Sequence, residues 1–405
     1  MVNVIGLGYI GLPTALMLAS HGVQVTGTNH SGKVDVLRSG KTTFQEEGLD
    51  ELFSAALAGG ITFTTEYPKA DVYIVSVQTP YDSFTKKVDM SYVNAAVGDV
   101  LNVAPKGAII VIESTISPGS IDRYVRPYIT ARGVRLGEDV HLVHAPERII
   151  PGNMIYELLH NDRTIGADDP AVGERIKALY ASFCQGNIVV TDIKTAEMTK
   201  VVENTYRAVN IAFANELAKI CRHDNMDVYE VIRICNMHPR VNILQPGPGV
   251  GGHCIPVDPW FLVGDYPGLT KVIGESLKVN ASMPEYVLRR IYTIMKEKGM
   301  TDVGRVGLYG MTFKENVDDY RDSPTLQLLQ CQREHLGQPL KVYDPFIEKD
   351  LAERQYHDLD AFLNDVDLVV VMVKHDQIRQ QQEKLSGKTV LDCCNVIRLP
   401  GVYRL

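Results

Sequence analysis

Continuous runs of apolar residues alternate with amphipathic stretches over the first part of the chain. The runs are rich in Val and Ile, and the stretches between them carry apolar residues at helical spacing. Strands that are apolar at nearly every position belong to parallel sheets covered by helices on both faces. The pattern therefore predicts parallel strands in five segments: VNVIGLG, VQVTGTN, DVYIVSV, GAIIVIEST and DVHLVHAPER.

The pattern changes near Thr195. The stretch TAEMTKVVENTYRAVNIAFANELAKICRHDN contains no Gly or Pro, which predicts one long helix, and DVYEVIRICNMH predicts another. Near Val303 the alternation of strands and helices resumes, with strands predicted in RVGLYGMTF, QPLKVYDPF, DVDLVVVMV and TVLDCC. The predicted fold class is α/β, with two Rossmann-like parallel-sheet domains joined by a central helical domain that contains a long spine helix.

The chain length sets the number of domains. A chain of 405 residues is too long for one ordinary core. We expect a dinucleotide-binding Rossmann domain over 1–190, a helical dimerisation domain over 191–290 and a second Rossmann-like domain over 291–405. The long helix is a plausible dimer surface, so we expect a homodimer.

Composition narrows the classes of partner. With 41 basic and 49 acidic residues the net charge is −8, which argues against a nucleic-acid-binding protein. No apolar run approaches the roughly 20 residues that cross a bilayer, and the N-terminus lacks the pattern of a signal peptide. Seven scattered cysteines without metal-ligand spacing fit a reduced compartment. We expect a cytoplasmic protein with no metal and no membrane partner.

The first predicted strand leads into a glycine-rich loop. Gly6, Gly8 and Gly11 form G-x-G-x-x-G between that strand and the next helix, and Tyr9 and Ile10 lie within the motif. The first glycine permits a tight turn, the second lets a pyrophosphate approach the backbone, and the third lets the helix pack on the strand. The helix N-terminus then attracts phosphate. The motif predicts a dinucleotide site.

One position departs from the usual dinucleotide motif. The second strand normally ends in Asp or Glu, which accepts hydrogen bonds from the ribose hydroxyls, whereas this chain has Asn29 in TGTNHS. Asparagine does not repel a 2′-phosphate, and His30, Ser31 and Lys33 lie nearby. NAD is the expected cofactor and NADP is the alternative. A polar turn residue without a role in selection is a second interpretation of Asn29.

Polar residues follow two of the later strands. Thr115 in ESTISPG and the pair Glu147 and Arg148 in HAPERIIPG lie at carboxyl ends of strands, where open α/β sheets bind ligands. On the long helix, Lys200 and Asn204 are four residues apart and share a face. A solvated helix face would explain that spacing equally well.

A glycine-framed loop contains one of the seven cysteines. Gly251 and Gly252 give the segment GVGGHCIPVDP unusual backbone freedom around Cys254. His253 beside it would favour the thiolate, and Asp258 could position water or pair with Lys200. Four other cysteines fit apolar helical patterns and are predicted to be core residues: Cys184, Cys221, Cys235 and Cys331. The adjacent Cys393 and Cys394 are also expected to be structural.

A nicotinamide site and an exposed cysteine together suggest a four-electron oxidation. Removing hydride from an alcohol gives an aldehyde, and thiolate attack gives a thiohemiacetal. A second hydride transfer gives a thioester that water hydrolyses to a carboxylate, so the cysteine divides the oxidation into steps. Lys200 and Asn204 would stabilise the developing oxyanions.

These segments together resemble the nucleotide-sugar 6-dehydrogenase family, which includes the UDP-glucose dehydrogenases. The resemblance spans nearly the whole chain in order: GLGYIGLPTA, ESTISPG, HAPER, TAEMTKVVENTYRAVNIAFANEL, PGPGVGGHCIPVDP and GMTFKENVDDYRDSP. It implies two Rossmann-like domains bridged by a long helix, a dimer through the middle domain, and two NAD reduced per sugar. The C-terminal domain would bind the nucleotide sugar.

The resemblance also implies roles for individual residues. Cys254 resembles the catalytic nucleophile of the family, with Lys200, Asn204 and Asp258 supporting the oxyanion and water steps. Glu147 resembles its acid–base residue and Thr115 its threonine that positions water or nicotinamide. Cofactor contacts are implied for Thr79 and Arg321. Contacts with the nucleotide sugar are implied for Arg148, Lys314 and the NILQPGPGVGG loop, which contains Asn242, Leu244, Gly249 and Gly251. Arg240 matches an arginine that reaches the sugar of the neighbouring subunit.

Within the family, two segments favour one branch. HAPERIIPGNMIYELLHNDRTIG and NMHPRVNILQPGPGVGGHC are most similar to the UDP-N-acetyl-D-mannosamine dehydrogenases, whose product would supply surface polysaccharide. Dehydrogenases of UDP-N-acetylglucosamine and UDP-glucose are the alternatives. The motif D-x-R-N of the family is DCCN here, so Cys394 replaces an arginine expected near substrate.

Two further functions compete with this hypothesis. A hydroxyacid-type two-electron dehydrogenase shares the Rossmann domain and the helical middle, but it needs neither Cys254 nor a third domain. A nucleotide-sugar-binding regulatory protein that has lost catalysis would not need the intact set of polar candidates: Thr115, Glu147, Lys200, Asn204, Cys254 and Asp258.

Overall fold

The computed structural model describes residues 1–82, 84–252, 254–334 and 338–405. Its chain divides into two compact units. The first comprises Met1–Glu203 and Trp260–Tyr266, and the second comprises Asn204–Pro259 and Pro267–Leu405. Each unit contains a sheet covered by helices, so the predicted α/β class is confirmed. The division into three domains stays a prediction.

The first unit alternates strands and helices from its first residues. Its strands are β1 (Val2–Ile5), β2 (Val25–Thr28), β3 (Thr62–Thr64), β4 (Val72–Val75), β5 (Ala108–Ile112), β6 (Val140–His144), β7 (Arg163–Ala167) and β8 (Ile188–Thr191). Its helices are α1 (Gly11–Ser20), α2 (Ser31–Arg38), α3 (Leu49–Ala58), α4 (Ser91–Val103), α5 (Arg126–Thr130), α6 (Met154–His160) and α7 (Pro170–Tyr180), with a π-helical turn over Ile121–Val125. All five strands predicted for this region are confirmed.

Strand order in the first unit is that of a dinucleotide-binding fold. Within its described residues the strands form one sheet in the order β3-β2-β1-β4-β5-β6-β7-β8. The first six strands follow the order 3-2-1-4-5-6, with the ligand crevice expected at the carboxyl ends of β1 and β4. Neighbouring strands are parallel except β6 and β7, which are antiparallel, with Val143 opposite Ala167 and His144 opposite Gly166. Loops that follow β1, β2, β4, β5 and β6 therefore share one edge.

One long helix follows the first sheet. Helix α8 runs over Ile193–His223, as the stretch without Gly or Pro predicts, and it contains residues of both units. It is followed by α9 (Val228–Cys235), α10 (Asp258–Asp265), α11 (Lys271–Ala281) and α12 (Met283–Glu297). Helix α12 has Pro284 in its first turn, where the missing N–H costs no hydrogen bond.

A second sheet closes the chain. Its strands are β9 (Val306–Tyr309), β10 (Lys341–Tyr343), β11 (Gln355–Tyr356), β12 (Leu368–Val371), β13 (Thr389–Asp392) and β14 (Tyr403–Arg404), with helices α13 (Pro324–Glu334), α14 (Leu359–Asn364) and α15 (Asp376–Gln380) and 3₁₀ turns over Val303–Arg305 and Gln382–Leu385. The described strands pair in the order β11-β10-β9-β12-β13-β14 and are all parallel. This again is the order 3-2-1-4-5-6, so a second Rossmann-like unit is confirmed.

Apolar residues of helices and sheet form the core of the second unit. Ala214 and Ala218 of α8 and Val287 and Ile291 of α12 belong to the same buried cluster as the β9 residue Leu308. Burial of the larger side chains, Val287, Ile291 and Leu308, contributes roughly 1.5–3 kcal/mol each. The C-terminal part of α8 is thereby fixed against its own sheet.

No helix in the described parts of the chain combines the length and apolar character required to cross a bilayer.

Candidate active site

The glycine-rich loop has the geometry of a phosphate cradle. A Cβ on Gly6, where φ is +89°, would lie 2.6 Å from the carbonyl oxygen of Ser76, and one on Gly11 would lie 2.1 Å from the oxygen of Gly6. These two positions are closed to larger residues. A Cβ on Gly8 would meet no described atom within 4 Å, so there is room beside the backbone at the start of α1. The loop fits a dinucleotide pyrophosphate, which would accept hydrogen bonds from the N–H groups at the start of this helix.

Residues around this loop include the other cofactor candidates. Tyr9 packs on Phe44 with ring centroids 4.5 Å apart, and Ile10 is the N-cap residue of α1. The Nζ of Lys33 donates to the Leu7 carbonyl at 3.4 Å, which brings its charge to the loop. Cofactor contacts of these residues stay predictions.

The end of β2 carries Asn29 at the same sheet edge. Its Oδ1 accepts a hydrogen bond from the His30 N–H at 2.9 Å. Because the oxygen is used locally, the amide NH₂ is the group that Asn29 offers to a ligand. The residue is half-buried rather than a freely solvated turn residue.

The loop after β5 is tied to neighbouring elements of its unit. Thr79 Oγ1 donates to the carbonyl of Thr115 at 2.7 Å, which joins two predicted site residues. Further along the loop, the N–H groups of Gly119 and Ile121 both donate to the buried carboxylate of Glu197, and Ser117 donates to Asp265. Burial raises the pKa of Glu197 to about 7 although the two N–H groups oppose it. These bonds fix the segment that follows Thr115.

Glu147 follows β6 and is buried. One carboxylate oxygen accepts from the Arg148 N–H at 2.7 Å, and the other lies 2.7 Å from Nη1 of Arg163. The Arg148 side chain pairs with Glu203 and donates a hydrogen bond to Thr164, and both partners belong to the same unit. Sequence reasoning missed Arg163, since nothing in its local pattern distinguishes it from a residue at the start of a strand.

Lys200 is buried on α8, one turn before Asn204. Among the described residues of its own unit, no carboxylate forms an ion pair with the Lys200 ammonium group. Because burying an unpaired charge is costly, such a lysine is a functional candidate. The interpretation of the Lys200–Asn204 face as a solvated helix surface is wrong, because both residues are buried.

In the second unit, Asn204 and Asp258 form a buried pair. The Nδ2 of Asn204 donates to Asp258 Oδ2 at 2.6 Å. Asp258 is the first residue of α10, and its own N–H donates to the Cys254 carbonyl at 2.8 Å. Three of the predicted catalytic residues are therefore joined: Cys254, Asp258 and Asn204.

The Cys254 loop owes its glycines to close packing as well as to backbone freedom. A Cβ on Gly251 would lie 2.6 Å from Phe313 Cβ and 2.8 Å from the Asp322 carbonyl. Gly252 has a φ of +81°, and its N–H donates to the Arg321 carbonyl at 2.8 Å. The loop thus lies directly on the segment between β9 and α13. Cys254 is exposed, while the predicted effect of His253 lies outside the described residues.

Asparagine side chains fasten the predicted sugar-binding loop. Asn210 of α8 donates to the Asn242 carbonyl at 2.8 Å and accepts from the Leu244 N–H at 3.0 Å. Asn215 accepts from the Gly247 N–H at 3.0 Å. Sequence reasoning missed both residues, although three asparagines in one long helix were a signal, since asparagine is a weak helix former.

Asn236 and Asn280 complete this arrangement. Asn236 brackets Ile243 with bonds to its N–H and its carbonyl, and Asn280 accepts from Asn215 Nδ2 at 2.9 Å. Arg240, at the start of the loop, is exposed. Gly249, with a φ of +143°, has Pro324 Cβ 3.1 Å from its Cβ position.

The remaining candidates lie in the segment after β9. Lys314 is half-buried, and its carbonyl accepts from Thr312 Oγ1 at 2.8 Å. Arg321 pairs with Asp319 at 2.5 Å. Asp344, after β10, accepts from the Thr312 N–H at 3.0 Å, and hydrogen bonds to its carboxylate keep its pKa low although burial opposes them. The segment is fixed by its own sheet.

The other cysteines are mostly structural. Cys184, Cys221 and Cys393 are buried, whereas Cys235, predicted to be core, is exposed at the end of α9. That prediction is wrong: Cys235 shares the helical face of Val228 and Ile232, but it is the last residue of α9 and is exposed there. Burial raises the pKa of the Cys394 thiol, whose Sγ lies 3.1 Å from the Met372 carbonyl, so this thiol stays protonated. Within the described residues, no group of His, Cys, Asp or Glu forms a candidate metal site.

Domains of one known protein family match this chain in the same order as these sites. Sequence profiles of the UDP-glucose/GDP-mannose dehydrogenase family match the chain in three parts: the NAD binding domain over 1–184, the central domain over 194–282 and the UDP binding domain over 307–399. The chain belongs to this family. It is therefore an NAD-dependent oxidoreductase of the nucleotide-sugar dehydrogenase type, and the implied resemblance is confirmed.

Individual relatives are similar over nearly their whole length. A UDP-N-acetyl-D-mannosamine dehydrogenase of Methanococcus vannielii is 40% identical, covering 98% of this chain and 93% of the relative. An NDP-N-acetyl-D-galactosaminuronic acid dehydrogenase of Ralstonia nicotianae is also 40% identical, covering 96% and 95%. The solved UDP-N-acetyl-mannosamine dehydrogenase of Staphylococcus aureus is 39% identical with a TM-score of 0.89, covering 100% of this chain and 97% of that structure.

Proposed function

We propose that the enzyme oxidises the C6 alcohol of UDP-N-acetyl-D-mannosamine to UDP-N-acetyl-D-mannosaminuronate, a precursor for surface polysaccharide. The family fixes the class of reaction, and relatives named for this substrate support the sugar. The observation that carries the proposal is the Cys254 loop. This loop holds the exposed Cys254 thiol. The Asp258 N–H donates a hydrogen bond to the Cys254 carbonyl, and the Asp258 carboxylate accepts one from the Asn204 amide.

The chemistry proceeds in four steps. The loop of Gly6, Gly8 and Gly11 would hold NAD, which would supply the hydride acceptor for both oxidations at C6. Between them, the Cys254 thiolate adds to the C6 aldehyde to form a thiohemiacetal, and the second oxidation converts this adduct to a thioester. Water then attacks the thioester, which releases the carboxylate and restores the thiol. Overall one alcohol, one water and two NAD⁺ give one carboxylate, two NADH and three protons.

Each polar candidate has a role in this scheme. Lys200 and the Asn204 amide donate hydrogen bonds to the oxyanions that form at C6. Asp258 holds the Asn204 amide in place at 2.6 Å and takes part in the proton transfers. Glu147 exchanges a proton with the hydrolytic water, and Thr115 positions water or the nicotinamide. We propose that Lys314, Arg148 and the loop containing Asn242, Leu244, Gly249 and Gly251 contact the nucleotide sugar.

The cofactor site has its own specificity. We infer that the enzyme uses NAD, with NADP as the alternative, because an amide stands where a carboxylate would repel a 2′-phosphate. Asn29 offers its NH₂ group, and Lys33 lies at the glycine-rich loop. Tyr9, Ile10, Thr79 and Arg321 are the remaining proposed contacts of the cofactor.

The homodimer is also a proposal. Large apolar side chains are exposed along α8 at spacings of four and seven residues: Met198, Val202, Tyr206, Phe213 and Ile220. A stripe with this spacing fits a helix packed against a second copy of itself. We propose that the second copy covers this stripe and that Arg240 contacts the sugar bound by the neighbouring subunit. We also propose that the enzyme is cytoplasmic.

A second sugar has support of its own. The relative named for N-acetyl-D-galactosaminuronic acid is as similar as the mannosamine relatives, so the configuration of the hexosamine is the point at issue. UDP-N-acetylglucosamine and UDP-glucose are the remaining alternatives.

The test measures kcat/KM for four substrates: UDP-N-acetylmannosamine, UDP-N-acetylglucosamine, UDP-N-acetylgalactosamine and UDP-glucose. We expect the mannosamine sugar to be preferred by about tenfold or more, since a wrong sugar that leaves one buried polar group unpaired costs about 1–3 kcal/mol, and about 1.4 kcal/mol is a factor of ten. A preference for the galactosamine sugar would replace the proposed substrate.

The cysteine mechanism is tested by Cys254→Ser. This variant should form no uronate, while the matched variant Cys235→Ser, at an exposed cysteine of the same unit, should keep normal turnover. Normal uronate production by Cys254→Ser would remove the nucleophile from the scheme.

A further inference from the structure

The first unit contains a buried cluster of charged and hydroxyl groups, of which the proposed mechanism uses only Glu147. Glu113, just beyond β5, accepts hydrogen bonds from Thr14 at 3.4 Å and Tyr180 at 2.9 Å, and also from Ser76. Arg163 lies over the ring of Tyr180, with its guanidinium carbon 4.7 Å from the centroid. Glu113, Arg163 and Tyr180 are almost completely buried, so their charges are poorly screened.

The antiparallel strand in the sheet brings Arg163 to Glu147. β7 runs against β6 with Val143 opposite Ala167 and His144 opposite Gly166, and continuing this register sets residue 147 opposite residue 163. Arg163 begins β7, so its side chain reaches the carboxyl edge of the sheet where Glu147 lies. The Nη1 atom is 2.7 Å from the Glu147 carboxylate.

Arg163 depends on charge rather than on hydrogen bonds. Its Nε and Nη2 atoms are buried without a hydrogen-bond partner among the described residues. A guanidinium in that state is costly unless opposite charges compensate it. The groups that face it are Glu147 of the β6 loop, Glu113 of the β5 loop, Tyr180 of α7 and Cys184. Retaining an arginine here therefore requires a carboxylate, and Glu147 is the nearest.

The two carboxyl groups of the cluster are not equivalent. Burial and the charge of Glu147 raise the pKa of Glu113 to about 7, against the bond from Ser76 and the charge of Arg163. The pKa of Arg163 is raised by Glu147, Tyr180 and Glu113 although burial opposes them, so the guanidinium stays charged. The cluster therefore keeps a charged guanidinium 2.7 Å from Glu147, while Glu113 holds its proton in weakly acidic solution.

We infer that Arg163 is a positioning residue, which pairs with the buried Glu147 carboxylate and orients it for its proton transfer. The inference rests on the proposed function, in which Glu147 is the acid–base residue. In the proposed mechanism Arg163 contacts no reacting atom of the substrate, and it acts only through Glu147.

The first test compares pH profiles of kcat, measured with saturating UDP-sugar and NAD, because the hydrolytic step in which Glu147 acts contributes to kcat. Glu147→Gln should abolish the acid limb of the wild-type profile. Arg163→Met should move that limb to higher pH by about one to three units, because a carboxylate without its cation holds its proton longer. Arg163→Lys keeps the charge and should restore the limb. Glu113→Gln is the matched control: Glu113 is protonated at the acid limb, so the limb should not move.

The outcomes separate the inference from the proposed function. A limb that survives Glu147→Gln would show that Glu147 is not the base, and both claims would fall. A limb that is lost in Glu147→Gln but unmoved in Arg163→Met would overturn the inference alone, whatever the loss in kcat.

A double-mutant cycle covers the case in which Arg163→Met does not fold. Removing one partner leaves a buried charge, whereas the variant with both Glu147→Gln and Arg163→Met has none and should fold. In the Glu147→Gln background, Arg163→Lys and Arg163→Met should lower kcat less than twofold further. An Arg163→Lys variant that lowers kcat equally in the wild-type and Glu147→Gln backgrounds would overturn the inference. The NAD dissociation constant should stay within about twofold throughout, as the control for an intact cofactor loop.

Discussion

At the residue scale, the cofactor site combines an ordinary phosphate loop with an unusual ribose position. Gly6 and Gly11 are each closed to any side chain by neighbouring backbone, while Gly8 has free space beside it. Asn29 lies at the end of β2 and uses its oxygen on the His30 N–H. The pyrophosphate part of the site is thus fixed by sterics, and the selection at the 2′ position depends on one amide.

Asn29→Asp should sharpen the preference for NAD. A carboxylate at this position binds the ribose hydroxyls and repels a 2′-phosphate, so the ratio of kcat/KM for NAD to that for NADP should rise about tenfold or more. Gln24→Glu adds the same charge just before β2, at the opposite end of the strand, and should leave the ratio unchanged. An unchanged ratio in Asn29→Asp would remove this residue from cofactor selection.

At the element scale, helix α8 contributes residues both to the core of the second unit and to the candidate site. Its apolar residues Ala214 and Ala218 lie in the core of the second unit, and its asparagines fasten the loop over 242–247. A helix is suited to this purpose because its backbone is fully bonded and its side chains are held at a regular spacing. The loop is therefore ordered by the helix rather than by its own sequence, which is rich in Gly and Pro.

Asn210→Ala should weaken substrate binding. It removes two hydrogen bonds to Asn242 and Leu244, each contributing about 1 kcal/mol, so KM for the UDP-sugar should rise roughly tenfold to thirtyfold. KM for NAD should stay within twofold. Asn210→Asp keeps the acceptor for Leu244 and should give an intermediate KM, and Glu216→Ala, at an exposed position of α8, serves as the control. A rise in both KM values would contradict the specific role of this residue.

Elements were more predictable from the sequence than the contacts between them. Strands such as β5 are buried throughout, and α8 lacks Gly and Pro, so periodicity alone identifies both. The direction of β7 depends on its pairing with β6, which no local pattern encodes, and Arg163 was missed for that reason. Asn215 was missed because its partners, the Gly247 N–H and the Asn280 side chain, are distant along the chain.

At the scale of the whole molecule, the exposed stripe of α8 should determine the assembly. In an isolated chain the stripe from Met198 to Ile220 exposes five large apolar side chains to solvent. Such exposure is unfavourable unless a partner covers the stripe. The proposed partner is a second copy, and the predicted role of Arg240 would make activity depend on that contact.

Glutamate in the stripe should dissociate the dimer. Sedimentation velocity should give the wild-type enzyme a mass twice that of the 44.9 kDa chain, and Tyr206→Glu with Phe213→Glu should give a monomer with reduced turnover. Phe84→Glu replaces an even more exposed aromatic residue outside the stripe and should leave a dimer. A wild-type enzyme that sediments as a monomer at micromolar concentration would contradict the proposed assembly.

The proposed mechanism requires one enzyme to carry the sugar through both oxidations. The direct measurement is the amount of NADH formed per UDP-N-acetylmannosamine consumed, at completion and with the uronate identified by mass. Two NADH per sugar, with no aldehyde accumulating, is the predicted result for a Cys254-dependent four-electron oxidation. One NADH per sugar with an aldehyde product would contradict it.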